Sequence, residues 1–225
     1  MNIYIYLSFL LFLVFLSYEV ITSTLKFCPI KIKEAVILPL ILICFRIGSL
    51  LTLLLVDDIK YVYIVRNFIF LNIIYIPMLI FLSVYVFYRN TKININWIYG
   101  IFFIGAAAYM ICIFIYPMEY YISMSYGYNV VFNSQLPYKI LLCINAVSFF
   151  IGVKSLRFKH SIKWGSFIII LASLVFIGGA AASLKSTEHI GYLLIGDLSW
   201  IICLYTSILT FKIKAKGHNI VKYSM

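Results

Sequence analysis

Charge is what this sequence has least of. Only 11% of its 225 residues are Asp, Glu, Lys or Arg, where a soluble domain carries about a quarter. Acid is scarcest, with 7 Asp+Glu against 18 Lys+Arg and a net charge of +11. With 64% hydrophobic residues and a mean hydropathy of +1.07, one water-soluble core cannot hide the apolar surface. That excludes a cytosolic enzyme and a disordered chain. Cysteine is sparse as well. Cys28, Cys44, Cys112, Cys143 and Cys203 are far apart, odd in number and mostly set in apolar runs. A disulfide-stapled secreted fold is thereby disfavoured, and packing thiols are expected. There is no C-x-x-C, no H-E-x-x-H, no acidic metal cluster and no phosphate-binding Gly-rich loop. His160, His189 and His218 fall in segments on different sides of the apolar runs, so they cannot form one site. No metal, cofactor or enzymatic activity is expected. A retinal Schiff base is disfavoured because the last apolar run has no Lys before Lys212.

What is present is apolar length. A bilayer core takes about 20 apolar residues per helix, and seven continuous runs meet or approach that. They cover about 3–24, 35–56, 67–88, 97–116, 137–153, 164–184 and 190–211. Unbroken rather than alternating runs favour helices over a barrel. The expected fold is all-α, a seven-helix transmembrane bundle over 1–211, with a short basic tail at 212–225 and Gly217 as a helix stop. Residues 1–24 are expected to be a permanent span. No basic residue precedes that stretch, it is too long for a signal peptide, and no small-x-small cleavage site follows.

Basic residues set the expected orientation. Lys26, Lys31 and Lys33, then Arg89 and Lys92, then Lys154, Arg157, Lys159 and Lys163, then Lys212, Lys214, Lys216 and Lys222 fall on one side, 13 in all. Lys60, Arg66, Lys139 and Lys185 fall on the other. Basic residues collect in the cytoplasm, so the N-terminus is expected outside and the C-terminus inside. The excess charge is thus a matter of topology, and nucleic acid is not an expected partner.

The connection at 117–136, PMEYYISMSYGYNVVFNSQL, is the longest and falls on the outer side. It holds four Tyr and no basic residue. It reads either as an aromatic segment at the headgroups or as a functional loop. In the second reading Glu119 and Tyr126 are ligand-binding candidates.

Ionisable groups within spans are costly and point to function. Three occur: Glu19, Arg46 and Asp197. By depth, Arg46 can pair with Asp197 or with Glu19. Such a pair can fix helix packing, form part of a ligand pocket, or belong to an ion path. Asn72, Asn145 and Trp200 complete the candidate pocket, Trp200 because it follows Asp197 by three residues and shares its helical face. Gly178 and Ala182 form a small-residue pair that suits a close helix contact, within the bundle or between two copies.

The run RNFIFLNIIYIPMLIFLSVYVFYRN at 66–90 has a basic start, a mid-helix Pro77 and an aromatic-basic exit at Tyr88 and Arg89. LPYK at 136–139 closes the long outer loop. Together with the seven runs, these features resemble the seven-transmembrane N-terminal sensor region of bacterial histidine kinases. The resemblance covers most of the chain and implies a sensor. In that family an output domain usually follows the last helix, whereas this sequence stops at Met225, so no kinase activity is expected. The implied function is a multi-pass module of the cell membrane that detects an extracellular or membrane-borne ligand. It would signal through a partner protein in the membrane or cytoplasm, with membrane lipid and a second copy of the chain as further partners. The alternative is a small transporter, channel or accessory subunit. No broken helix or inverted repeat is expected to support that alternative.

Overall fold

In lipid a backbone must satisfy its own polar groups, so apolar runs of this length become helices. The structure, a computed structural model, describes residues 3–56, 59–88, 94–123, 127–158, 161–185 and 190–223. Its helices are α1 (Ile3–Phe27), α2 (Ile30–Leu55), the short α3 (Ile59–Val65), α4 (Asn72–Tyr88), α5 (Trp97–Ile115), α6 (Leu136–Leu156), α7 (Lys163–Lys185) and α8 (Ile190–Tyr223). Seven spans are long and apolar enough to cross a membrane, α3 and α4 counting as one from Lys60 to Tyr88. The protein is a multi-pass helical membrane protein.

The helices run past the apolar limits of their sequences. α1 and α2 are separated by Cys28 and Pro29 alone, and the amides of Ile32 and Lys33 donate to the Pro29 carbonyl at 3.0 and 2.9 Å. Lys26, Lys31 and Lys33 therefore sit on helical turns rather than in a loop. Cys28 is buried in this link, and burial pushes its thiol up to about 11 against the pull of the Lys33 charge. The thiolate is the reactive form. Maleimide at pH 7.5 is thus expected to spare Cys28 in the folded protein and to label it after unfolding in SDS. Equal labelling before and after would refute the buried link.

Two expectations are corrected. The segment at 117–136 is not a plain loop. β1 (Met118–Ser123) and β2 (Gly127–Phe132) form an antiparallel hairpin with Tyr120 opposite Val130. Its Tyr, Ile, Val and Phe residues suit a pleated, half-buried ribbon. Gly217 does not stop the last helix, which continues to Tyr223. A glycine inside a helix costs about 1 kcal/mol relative to Ala, which does not suffice to end one.

A third difference bears on function. The third span is broken. After α3 come a 3-10 turn at Arg66–Phe68 and an irregular stretch before α4 starts at Asn72. Ile69, Phe70 and Leu71 in this break are all buried. Phe70 packs on Phe132 of β2 and on Tyr138 of α6, with ring centroids 4.4 and 5.9 Å apart. The hydroxyl of Tyr109 on α5 donates to the Asn67 carbonyl that the break leaves free. The irregular backbone is thus capped from neighbouring elements, as it must be at membrane depth.

α4 is the hub. It touches α2, α5, α6, α7 and α8, while α7 packs closely on both α6 and α8 and α1 lies against α2 and α8. α5 rests mainly on α4 and turns Phe103, Ile104 and Phe114 outward. The hairpin lies against the C-terminal part of α2 and caps one end of the bundle.

Candidate functional site

Arg46 and Asp197 meet in the centre of this bundle. Arg46 is nine residues before the end of α2, about 14 Å below the hairpin end, and Asp197 is seven residues into α8, about 10 Å below it. The Arg46 Nη1 donates to Asp197 Oδ2 and to the Tyr75 hydroxyl. Both charged side chains are about 2% to 3% exposed. Tyr75 lies three residues into α4, and its hydroxyl shares the Arg46 Nη1 donor with the Asp197 carboxylate. The guanidinium carbon is 5.9 Å from the Tyr75 ring centre. Three spans distant in sequence are thereby joined through one polar knot, and the phenol shares the burden of two buried charges.

The knot is incompletely satisfied by the protein. Among the described residues Arg46 Nε and Asp197 Oδ1 have no hydrogen-bond partner, nor has either polar atom of Asn72. Asn72 is fully buried, and it precedes Tyr75 by three residues, so it occupies the same face of α4. Buried polar groups are nearly always hydrogen-bonded, so these four atoms, two on the ion pair and two one turn from Tyr75 on α4, mark spare donor and acceptor capacity. Above them is a small cavity lined by Leu50 and Leu53, which share the Arg46 face of α2, by Tyr128 and Val130 of β2, and by Gly191 of α8. It lies between the knot and the hairpin.

The remaining candidates divide. Asn145 and Trp200 form a separate buried contact, in which Trp200 Nε1 donates to Asn145 Oδ1 at 2.8 Å and the Asn145 amide donates to the Leu141 carbonyl at 2.8 Å. Both residues are thus engaged by the protein itself. They lock α6 to α8, helped by Ser148 and Ser173 at 2.6 Å between α6 and α7. Glu119 is exposed on β1, opposite Val131, and is not brought to the ion pair. Tyr126, His160 and His189 lie outside the described residues, as do Arg89, Lys92 and Lys159. Glu19 stays half-buried on α1, and Arg46–Asp197 is the only ion pair among the described residues. Among the described residues no group of three His, Cys, Asp or Glu could hold a metal.

Tyr75 was not a sequence candidate. A tyrosine in an apolar run reads as a headgroup-level aromatic, and only the break before α4 reveals its depth. The signal available was its spacing, three residues from Asn72 on one helical face.

Fold and site together define a multi-pass membrane protein with a polar, charge-paired centre. No family model matches the chain, and no curated protein matches it.

Proposed function

We propose that this protein is a sensor module of the cell membrane, without chemistry of its own, that recognises a small polar ligand at the Arg46–Tyr75–Asp197 knot. The observation that carries the reading is the spare hydrogen-bonding capacity of Arg46 and Asp197, with Asn72 on the neighbouring turn of α4, at the one buried ion pair among the described residues. The ligand enters from the hairpin end, through the small cavity under β2. That end is extracellular by the distribution of basic residues. The opposite end presents Lys26, Lys31 and Lys33, with Lys212 on α8, and serves as the output face toward a signalling partner. The resemblance to histidine-kinase sensor regions points the same way.

The test is a photo-crosslinking residue at position 214 in native membranes. Recovery of a cytoplasmic kinase, a response regulator or another signalling subunit is the expected result. Recovery of self-crosslinks alone counts against a sensor. One observation favours a second reading, that of a small transporter. The third span is interrupted at 66–71, and discontinuous helices commonly build substrate sites in transporters. Solute flux into proteoliposomes would support that reading.

A further inference from the structure

A second site lies on the outer surface of the bundle and owes nothing to the ion pair. Along α2, from Ile37 to Thr52, runs an open groove of about 620 Å³. Fifteen residues of helix make it about 22 Å long. Ile21 and Leu25 of α1 form one wall, and Val65 and Phe68 form the other.

The groove asks for an apolar occupant. Its two hydroxyls are already engaged with their own helix, Ser49 with the Phe45 carbonyl and Thr52 with the Gly48 carbonyl, both at 2.8 Å. Gly48 leaves its floor open, since a Cβ built there would meet nothing within 4 Å.

One end of the groove is basic. Lys33 is one turn before Ile37 on the same face of α2, and its charge acts on Cys28, which follows Ile21 and Leu25 along the face of α1. Lys26 is next to Leu25, and the ammonium groups of Lys26 and Lys212 lie 5.7 and 5.4 Å from the centre of the Phe27 ring. Among the described residues no carboxylate pairs with any of these three lysines. Basic pockets between membrane helices suit anionic headgroups.

We propose that this groove binds one acyl chain of an anionic phospholipid, with the headgroup phosphate held by Lys33 and Lys26 and the charge of Lys212 nearby. The length of the groove, its lack of free polar groups and its cationic end all suit an amphiphile with a single negative head. Among the described residues a second copy exposes only Glu34 at this end and Glu119 on the distant hairpin, fewer carboxylates than the three lysines to be met.

The test uses the whole protein in mixed micelles of phosphatidylglycerol and phosphatidylcholine at equal amounts, with bound lipid read by native mass spectrometry. Wild type is expected to retain phosphatidylglycerol preferentially. Lys33→Gln and Lys26→Gln are each expected to lower that preference about fivefold without expelling lipid. Gly48→Leu is expected to expel lipid of either kind with helix content unchanged, because its side chain enters open groove. Equal retention of both lipids by wild type would overturn the proposal. So would unchanged retention in Gly48→Leu, or recovery of a lipid-free dimer. If Gly48→Leu fails to fold, the lysine variants decide, and an unchanged preference in both overturns the headgroup assignment.

Discussion

Asp197→Leu alone is expected to lose most of the folded protein, and adding Arg46→Met to the same chain is expected to restore much of it. Removing one partner of a buried ion pair leaves an uncompensated charge, at about 3–5 kcal/mol. An unpaired Arg at the centre of a membrane helix is priced similarly, at about 2.5–3.5 kcal/mol on insertion scales. Either figure is a large part of the ~5–15 kcal/mol that holds a typical protein folded. Replacing both charges by apolar side chains of similar volume removes the desolvation cost together with the attraction, and such exchanges are often neutral or stabilising. The measurement is the midpoint of SDS-driven unfolding for wild type, both single variants and the double variant. Equal destabilisation of single and double variants would mean that the charges do not couple. The same set separates packing from recognition. A double variant that folds but has lost the cellular response places the ligand at the knot, while one that still responds makes the pair a packing device. Tyr75→Phe refines this, since it keeps the ring against Arg46 and deletes only the hydroxyl that Arg46 donates to.

How much of this was legible in the sequence depends on where the cause resides. Lipid imposes the helices locally, so seven apolar runs translate into seven spans without help from distant residues. The helix ends are harder to place, because Lys26 and Lys31 are polar enough to end an apolar count yet are good helix formers. The break at 66–71 has no local signal. No proline or glycine lies between Arg66 and Asn72, and the proline that is present, Pro77, sits inside an intact α4. The causes are Phe132, Tyr138 and Tyr109, all from later segments. The hairpin did carry a signal, in the aromatic and β-branched residues of 118–123 and 127–132, but the expectation of headgroup aromatics masked it. For the ion pair, depth arithmetic allowed both Glu19 and Asp197. Only the rotational setting of α1, α2 and α8 chooses between them, and that setting comes from side-chain packing along whole helices.

Packing also predicts opposite fates for two adjacent glycines on α7. The sequence pairs Gly178 with Ala182 as a close-contact motif, yet a Cβ at Gly178 would meet nothing within 4 Å. One residue on, a Cβ at Gly179 would lie 2.6 Å from the backbone carbonyl oxygen of Tyr192 on α8. A carbonyl cannot rotate away as a side-chain tip can, so Gly179→Ala must push α7 and α8 apart at a contact where the two helices pack closely. Overfilling of this kind costs about 1–3 kcal/mol. Part of it is offset because alanine favours the helix over glycine by about 1 kcal/mol. Gly178→Ala collects that gain with no clash. Gly179→Ala is therefore expected to lower the unfolding midpoint and Gly178→Ala to raise it or leave it unchanged, in the same SDS titration. The contrast reaches the site because α8 carries Asp197. A shift of α8 at Tyr192 moves the carboxylate, five residues further along, against Arg46 on α2, so Gly179→Ala is also expected to weaken the coupling between the two charges. A double-mutant cycle on Arg46 and Asp197 in the Gly179→Ala background measures that loss. An undiminished coupling energy would mean that the knot holds α8 in register regardless of its upper contact with α7.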